Sequence, residues 1–284
     1  MKQYLDILNN VLENGTDRPD RTGTGTRSLF GIQFRHDLQK GFPCLTTKKI
    51  LWKSAIGEML WWIEGSGDER RLAEIIHQKP REELTDKKTV WTANANSNYW
   101  KPHAKYEGDL GRPYGVQVRH WTNSNGIEFD QLLILIEGLK NDPYCRRHII
   151  TSWNPGELDN MALPPCHYNV QFYVAENKLS CLLTMRSLDL FLGFGYDVIM
   201  YAVLTHMIAK VCGFSVGELI INSADTHIYH NHFEAVEEQL HREPKDLPYL
   251  WINPSVTNIE DFKISDFNLE GYEPYPAIKA PMAV

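Results

Sequence analysis

Two alternating segments and the long apolar segment after them constrain the fold of this chain most strongly. HYNVQFYVAE (167–176) and LSCLLTMRS (179–187) both alternate apolar and polar residues, and a short polar turn joins them. This pattern is typical of a β-hairpin with one buried face. YDVIMYAVLTHMIAKVCG (196–213) then has the length of a helix, must bury at least one face, and ends on Gly213. The sequence therefore predicts a sheet that packs against a buried helix.

The other periodic segments extend this pattern along the chain. Predicted helices are YLDILNNVL (4–12), KSAIGEMLWWIEG (53–65), which stops at Gly65, and FDQLLILIEGLKNDP (129–143). Predicted strands are RSLFGIQFRHDL (27–38), HIITSW (148–153) and the first half of the segment 218–244, whose second half is a helix closed by Pro244. The Asn-rich segment 94–111 is predicted as an irregular excursion near a site. Because no linker or repeat divides the chain, a single α+β domain over residues 1–284 is expected.

Charge and cysteine content exclude several classes of function. The net charge of −7 argues against a sequence-independent grip on nucleic acid, which requires clustered Lys and Arg. No apolar stretch reaches the roughly 18 residues that a membrane span needs, so a cytoplasmic protein without a membrane partner is expected. The five cysteines are scattered without CxxC or zinc-type spacing. We therefore expect neither a disulfide framework nor a bound metal.

Cys166 is a candidate nucleophile. It stands in ALPPCHYNV, where two prolines fix the backbone ahead of a strand and His167 follows as a second candidate catalytic residue. A nearby cation would lower the pKa of the thiol towards the reactive thiolate. The alternative is that Cys166 is a small buried apolar residue.

Arginines at the ends of predicted elements are candidate phosphate ligands. Arg146 and Arg147 precede a strand, Arg186 and Ser187 end one, and Arg21 stands beside the glycine-rich TGTGT. Guanidinium and hydroxyl groups give phosphate bidentate, charge-assisted hydrogen bonds. Each arginine taken alone is equally consistent with a solvated surface charge, and TGTGT has the spacing of neither the dinucleotide fingerprint nor the P-loop.

Two carboxylates stand within apolar segments. Burial of Glu58 in AIGEMLWWIEG would raise its pKa towards neutrality and suit it to proton transfer, with a structural salt bridge as the alternative. Asp197 in GFGYDVIMYA is costly to bury without a partner. It is predicted either to bind a ligand or to cap the helix that follows.

The segment ADTHIYHNH (224–232) concentrates polar and aromatic side chains. Its histidine spacing matches no recognised zinc pattern and no thiolate accompanies it. Hydrogen bonding of a sugar hydroxyl by His227 and Tyr229 is an equally natural interpretation.

Taken together, these motifs resemble thymidylate synthase in order and wording from the first helix to the last residue. The shared segments are DRTGTGT, GFPCLTTKK, GDLGRPYG, CRRHIITSWNPGELDNMALPPCH, MRSLDLFLG, ADTHIYHNH and IKAPMAV. The resemblance implies a mixed β-sheet flanked by helices and a homodimer that packs through the sheet and shares its active sites. It also implies 5,10-methylenetetrahydrofolate as cosubstrate and a pyrimidine nucleotide as substrate, with no metal.

The resemblance assigns roles to residues of this chain. Cys166 would add to carbon 6 of the pyrimidine, Glu58 would organise water and proton transfers, and Tyr114 would assist removal of the carbon 5 proton. The 5′-phosphate ligands would be Arg21, Arg186 and Ser187, with Arg146 and Arg147 from the other subunit. His227 and Tyr229 would bind the 3′-hydroxyl. The folate side would be formed by Trp91, Leu163, Asp189, Gly193, Tyr196, Ala283 and Val284.

Departures from the family pattern lie near the base and the folate. Where members normally read QRS and LGLPFNIASYA, this chain reads MRS and LGFGYDVIMYA, so that Asp197 replaces the asparagine that reads the base. Leu51 and Asn94 stand where a histidine and a tryptophan are usual. An aspartate with MRS resembles the phage deoxycytidylate hydroxymethylases, which implies dCMP as substrate and, for a phage-encoded chain, the host cytoplasm as location.

The product is less constrained by the sequence. Asn94, Leu51 and the altered FGYD loop favour water at the folate side and hence 5-hydroxymethyl-dCMP, whereas the retained Trp91 and the APMAV tail favour methylation. The alternatives are a dCMP methyltransferase, a synthase acting on dUMP, and an inactive relative that binds nucleotide or RNA.

Overall fold

The computed structural model describes residues 1–282 of the chain, and the predicted Ala283 and Val284 contacts lie outside the described residues. Its centre is a mixed six-stranded sheet in the order β1-β2-β8-β7-β6-β5, antiparallel except between β7 and β8. The strands are β1 (Thr16–Arg18), β2 (Thr26–Asp37), β3 (Trp121–Thr122), β4 (Glu128–Phe129), β5 (Ile149–Thr151), β6 (His167–Ala175), β7 (Lys178–Asp189), β8 (Ser215–Tyr229), β9 (Tyr249–Ile252) and β10 (Phe267–Glu270). The pairs β3–β4 and β9–β10 form two small antiparallel sheets.

Helices cover the large sheet on one face. They are α1 (Lys2–Asn14), α2 (Trp52–Ile63), α3 (Glu69–His77), α4 (Thr92–Ala95), α5 (Tyr114–Arg119), α6 (Gln131–Asn141), α7 (Phe194–Cys212) and α8 (Phe233–Leu240). Both α1 and α7 pack on the sheet, and α2 packs on α7. No helix among residues 1–282 is long and apolar enough to cross a membrane.

The predicted hairpin and buried helix are both confirmed. Strands β6 and β7 pair antiparallel around Glu176 and Asn177, whose φ values of 50° and 58° suit a tight two-residue turn. Helix α7 begins at Phe194, two residues before the predicted start, and ends at Gly213, whose φ of 80° favours glycine. Because β7 and β8 are parallel, the chain between them must cross over, and α7 is that crossover.

The register separates a buried face of the sheet from an open one. One row across the strands is buried beneath the helices: Phe34, Ile221, Leu183, Val170 and Ile150. The neighbouring row, which we call the open row, stays exposed or half-exposed on the other face: Arg35, Ile220, Leu182, Gln171 and Ile149. No element of the described chain covers this second face, which therefore meets solvent in a single chain.

Several element boundaries differ from the sequence prediction, among them those of β5 and α8. The strand predicted over 148–153 is reduced to β5, Ile149–Thr151. Helix α8 ends at Leu240 rather than at Pro244, and just beyond it Arg242 donates to the backbone oxygens of Thr47 (2.9 Å) and Pro276 (2.6 Å). These bonds hold the residues after α8 against other segments, so the helix ends before the chain reaches Pro244.

Candidate active site

Cys166 lies directly before β6, and Arg186 on the adjacent strand fixes the loop that carries it. The Arg186 guanidinium donates to the carbonyl oxygens of Pro164 and Pro165, each at 2.9 Å. The backbone N–H of Arg186 also donates to the Cys166 carbonyl oxygen at 2.9 Å. One arginine therefore holds the backbone of the loop and places a positive charge beside the partly exposed thiol.

The groups around the Cys166 thiol shift its pKa in opposite directions. Burial raises the pKa of Cys166, the positive charges of Arg186 and Arg21 lower it, and the negative charge of Asp197 raises it again. The protonated thiol is therefore the resting form of Cys166. Any change that strengthens the effect of the two arginine charges on its pKa favours the thiolate.

Tyr114 contacts the same loop from α5. Its hydroxyl oxygen accepts the backbone N–H of Cys166 at 2.7 Å, and its ring stacks on Trp62 with centroids 4.2 Å apart. The stack requires α5 to approach α2 closely, and Gly115 permits this because a Cβ there would lie 2.6 Å from the Trp62 carbonyl oxygen. Burial raises the pKa of Tyr114, so its hydroxyl stays protonated and able to donate.

Glu58 occupies the centre of α2, deep in the fold but with some exposure to the site. The indole N–H of Trp91 donates to its Oε1 at 2.7 Å. Burial raises the pKa of Glu58 to about 7, opposed by the Trp91 hydrogen bond and by His167. Among the described residues Glu58 forms no salt bridge, so the carboxyl is poised to exchange a proton at neutral pH.

Asp197 lies in the first turn of α7 and is buried, with 8% of its surface exposed. Its Oδ1 lies 3.0 Å from Nε2 of His167, the first residue of β6. The helix begins at Phe194 and its N-cap residue Gly193 makes no side-chain capping bond. Asp197 thus contacts the residue after Cys166 and does not cap the helix.

His227 and Tyr229 lie at the end of β8, where their rings meet edge to face with centroids 5.2 Å apart. His227 is paired across the sheet with Asp189 on β7 and Ser28 on β2, and its Nδ1 lies 3.4 Å from Asp225 Oδ1. This end of β8 therefore faces the same cleft as β7. Among residues 1–282 no group of three or more His, Cys, Asp or Glu is arranged to hold a metal.

The Arg21 loop is an ordered turn built on Asp20. Both Asp20 carboxylate oxygens accept backbone N–H groups, Oδ1 from Gly25 at 2.8 Å and Oδ2 from Thr22 at 2.9 Å. These bonds and the Thr22 hydroxyl lower the pKa of Asp20 to about 2. Arg21 is presented by this turn, exposed to solvent and close enough for its charge to act on Cys166 and Tyr229. Ser187 lies beside Asp225 in the β7–β8 register.

Arg146 and Arg147 lie apart from the Cys166 loop. Both are exposed in the turn before β5, where the Arg146 carbonyl oxygen accepts from Gln171 of the open row at 3.3 Å. Arg147 donates to the sulfur of Cys145 at 3.4 Å. The described chain brings Cys166, His167, Glu58, Tyr114, Arg186 and Asp197 together, with Arg21 nearby, and leaves these two arginines at the border of the open sheet face.

In a comparison with protein families, residues 2–284 match the thymidylate synthase family. The chain belongs to the thymidylate synthase family. Members of this family are folate-dependent one-carbon transferases that act on pyrimidine nucleotides. The match spans nearly the whole chain and agrees with the mixed six-stranded sheet and its flanking helices, so the predicted fold is confirmed.

Three of the residues predicted for the folate side of this thymidylate synthase family member lie at the start of α7: Asp189, Gly193 and Tyr196. Oδ1 of Asp189 accepts the backbone N–H groups of Phe191 and Leu192, both at 3.0 Å, which shapes the turn into the helix. A Cβ on Gly193 would lie 2.9 Å from the Asp189 carbonyl oxygen, so glycine permits that turn. Trp91 is buried, while Leu163 and Tyr196 are partly exposed and pack against the core.

Three contributors to the site were absent from the sequence prediction. Trp62, one helical turn after Glu58, supports Tyr114. Lys48 is buried with its ammonium group 3.5 Å from the centroid of the Phe191 ring, and burial lowers its pKa to about 7 against the opposing charge of Asp189. The contact between His167 and Asp197 joins residues thirty positions apart. The spacing of Glu58 and Trp62 could have revealed the first, whereas the others depend on the packing of α7.

Proposed function

We propose that this protein transfers a one-carbon unit from 5,10-methylenetetrahydrofolate to carbon 5 of dCMP, giving 5-hydroxymethyl-dCMP. The observation that carries the proposal is Asp197, a buried carboxylate in the first turn of α7 whose Oδ1 lies 3.0 Å from His167. His167 directly follows Cys166, so the carboxylate lies within the neighbourhood of the nucleophile.

An ionised Asp197 matches cytosine and not uracil. A carboxylate offers only acceptors, whereas uracil presents an acceptor at its 4-oxygen and would oppose it with a second acceptor. The 4-amino group of cytosine donates to one carboxylate oxygen, and a proton on N3 completes a second bond. A buried polar group left unpaired is costly, so such a site can discriminate by about 10⁴–10⁵-fold.

The reacting residues have the contacts that the transfer requires. The thiolate of Cys166 forms a bond to carbon 6, which makes carbon 5 nucleophilic towards the methylene group that the folate supplies. Carbon 5 bonds to that methylene group; removal of the carbon 5 proton is assigned to Tyr114 and Glu58, and tetrahydrofolate departs as its bond to the methylene breaks, which leaves an exocyclic methylene. A water molecule adds to this methylene, the sulfur–carbon 6 bond breaks, and the pyrimidine double bond is restored without any oxidant.

The nucleotide's phosphate and sugar are assigned to the cleft beside Cys166. Arg21, Arg186 and Ser187 bind the 5′-phosphate, and His227 with Tyr229 binds the 3′-hydroxyl. The charge of Arg21 reaches both Cys166 and Tyr229, which supports a single ligand spanning the two. Arrival of the phosphate dianion between the arginines orders exposed side chains that are otherwise solvated.

Arg146 and Arg147 are assigned to the active site of a second copy of the chain. They border the open sheet face, whose open row carries apolar Ile220, Leu182 and Ile149 and is flanked by Tyr173, 66% exposed. Packing two such faces about a two-fold axis buries this apolar surface and moves each arginine pair across the interface.

Complementation tests the shared site. Cys166→Ser chains and Arg146→Ala/Arg147→Ala chains, each nearly inactive, are dissociated, mixed equally and reassembled. Random pairing gives heterodimers in which one of two sites has every residue, so about a quarter of wild-type activity returns. No gain over the separate variants would contradict the assignment of these arginines to the partner's site.

Binding of the folate is assigned to Trp91, Leu163, Asp189, Gly193 and Tyr196. One observation favours a second candidate, a dCMP methyltransferase: Trp91 is buried and bonded to Glu58, an aromatic shield of the kind that excludes water. Against it, Leu51 is 60% exposed at the start of α2, and Asn94 is polar and partly exposed, which supports access of water to the assigned folate side.

Mass spectrometry of the nucleotide product separates the candidates. The protein is incubated with dCMP or dUMP and 5,10-methylenetetrahydrofolate, and the expected result is hydroxymethyl-dCMP without dihydrofolate. Methyl-dCMP with stoichiometric dihydrofolate would assign the methyltransferase instead, and preferential conversion of dUMP would contradict the role of Asp197. An inactive nucleotide- or RNA-binding relative would release no carbon 5 hydrogen from labelled nucleotide, in contrast to the release expected here and its loss in Cys166→Ser.

A further inference from the structure

Glu69, a buried carboxylate at the start of α3, is bonded to the segment that carries Trp91. Its Oε1 accepts two hydroxyl groups, that of Thr89 at 2.7 Å and that of Thr92 at 2.6 Å. Only 2% of the Glu69 surface is exposed, and its Oε2 lies 3.2 Å from Nε of Arg70. Burying a carboxylate is costly unless it is paired and hydrogen-bonded, so these contacts hold Glu69 in place.

The two hydroxyl groups close a turn around Trp91. The backbone N–H of Trp91 donates to Oγ1 of Thr89 at 3.1 Å, and the backbone N–H of Thr89 donates to Oγ1 of Thr92 at 2.8 Å. Because a backbone N–H can only donate and each hydroxyl has a single hydrogen, both hydroxyl hydrogens are left for Glu69. Removal of the Glu69 acceptor therefore takes away the partner that orients both hydroxyls, and it loosens the turn.

Helix α2 contacts both ends of this arrangement. At one end the indole N–H of Trp61 donates at 2.9 Å to the carbonyl oxygen of Asp68, the N-cap residue of α3. At the other end the indole N–H of Trp91 donates to Oε1 of Glu58 at 2.7 Å. Glu69 lies between these two bonds. It completes a continuous path from Trp61 through α3 and the turn back to Glu58, three residues earlier on the same helix.

Aromatic packing holds the Trp91 ring but does not fix the direction of its N–H. The ring centroid lies 6.0 Å from that of Trp61 and 5.6 Å from that of Tyr114, which it meets edge to face. Such contacts tolerate offset and tilt, whereas a hydrogen bond weakens steeply as its angle departs from linearity. The backbone of Trp91 must therefore be held as well, if its indole N–H is to stay on Glu58.

Several groups act on the pKa of Glu58 from the elements packed around it. Burial raises this pKa to about 7, and the largest opposing contribution is the hydrogen bond from Trp91. His167 of β6 also lowers the pKa of Glu58, and Asp197 of α7 raises it. Two phenols that interact with the Glu58 charge stay neutral because burial raises their pKa values: Tyr196 and Tyr201 of α7. Of these groups, Trp91 is the one that the turn on Glu69 carries.

We propose that Glu69 is a positioning residue that holds the turn from Thr89 to Thr92 and thereby keeps the indole N–H of Trp91 on the Glu58 carboxyl. The inference rests on the proton-transfer role proposed for Glu58. Because the Trp91 bond stabilises the ionised carboxylate, its loss leaves the effect of burial less opposed. A substitution of Glu69 in α3 should therefore change the proton affinity of Glu58 in α2.

Titration of Glu58 by NMR measures this effect without any nucleotide. The protein carries ¹³C-labelled glutamate, and the Glu58 carboxyl resonance is identified by its absence from Glu58→Gln. Glu69→Met removes the acceptor at nearly constant volume, Glu69→Gln keeps an acceptor oxygen, and Trp91→Phe removes the indole donor itself. Thermal unfolding confirms that each variant is folded. If Glu69→Met fails to fold, Thr89→Val/Thr92→Val removes both hydroxyl donors and provides the answer.

Glu74→Gln is the matched control. It neutralises another carboxylate of α3, one that accepts from Arg71 at 3.0 Å and from Arg81 at 2.8 Å and takes no part in the turn. This variant should leave the pKa of Glu58 at about 7.

We expect Glu69→Met and Trp91→Phe to raise the pKa of Glu58 from about 7 to about 8, and Glu69→Gln to keep it near the wild-type value. The direction separates this role from a simple charge effect, because removal of a nearby negative charge would lower the pKa of Glu58. In Glu69→Met the pH profile of kcat with dCMP should move to higher pH by the same amount. A merely structural defect would lower the melting temperature and leave the Glu58 titration unchanged.

Failure of the inference and failure of the proposed function can be told apart. If the pKa of Glu58 in folded Glu69→Met equals that of wild type, aromatic packing alone holds Trp91 and the role of Glu69 is wrong, whichever nucleotide is the substrate. If the pKa of Glu58 rises as expected but wild type does not convert dCMP, the proposed function is wrong, and the placement of Trp91 by Glu69 is supported.

Discussion

The end of the site around Cys166, where we place the reaction, and the end to which we assign the phosphate are built in opposite ways. At the Cys166 end, side chains from α2, α5, α7 and the start of β6 are buried or partly buried. Glu58 accepts from the Trp91 indole, Tyr114 accepts from the Cys166 backbone N–H, and Asp197 lies 3.0 Å from His167. At the phosphate end Arg21, Arg146 and Arg147 are exposed, and the last two do not reach the Cys166 loop of their own chain.

The difference follows from what each end must stabilise. Proton transfers and nucleophilic addition need groups whose pKa values are shifted and whose orientation is fixed, and both require burial. A phosphate dianion needs several cations, which repel one another before it arrives and remain soluble only when exposed. Arg186 belongs to both ends because the same guanidinium holds the Cys166 loop.

Removal of the thiol should have the largest effect. Cys166→Ser is expected to lower kcat by about 10⁴-fold or more, since no other group of the site can add to carbon 6, while the melting temperature changes little. Product formation and thermal unfolding are measured together. Cys212→Ser, at the far end of α7, is the matched control and should keep full activity; a similar loss there would mean that the assay reports stability.

Arginine substitutions sharpen the contrast between the two ends. Arg186→Lys should lower kcat/KM by about 100-fold and reduce kcat as well, because lysine cannot make the paired bonds to Pro164 and Pro165. Arg21→Lys should cost about 10-fold, nearly all in KM. Steady-state kinetics with the nucleotide varied measures both, and equal effects of the two substitutions on kcat would remove the distinction.

Glu58→Gln should make the protein more stable while lowering its activity. The pKa of Glu58 is 4.5 in the unfolded chain and about 7 in the folded one. Between these two pH values the folded state therefore binds a proton that the unfolded state does not. The free energy of unfolding falls as the pH rises through this range. At pH 8 the variant should gain about 3 kcal/mol in the free energy of unfolding over wild type, and the gain should vanish below pH 4.5. Urea unfolding at several pH values measures it; a pH-independent difference would contradict the buried carboxyl.

The order of elements could be predicted from the sequence because each hairpin and helix has its own spacing of apolar residues and its own terminating residue. The alternation of β6 and β7 and the stop at Gly213 are local signals of this kind. The short β5 and the early end of α8 are set by contacts with distant segments, which no local pattern contains. In the site, the arginines and Cys166 were identified by their motifs, whereas the Nε2–Oδ1 contact of His167 and Asp197 depends on how α7 packs against the sheet.

Asp197→Asn is the most direct test of whether Asp197 reads the base, because it replaces an acceptor-only group by an amide of nearly the same shape. Wild type and variant are each given equal concentrations of dCMP and dUMP with 5,10-methylenetetrahydrofolate, and both products are quantified by mass spectrometry. We predict that wild type converts dCMP and that the variant gains conversion of dUMP. The ratio of the kcat/KM values for the two nucleotides should shift by about 10³-fold or more towards dUMP. An unchanged ratio, or a wild-type preference for dUMP, would show that Asp197 does not read the base.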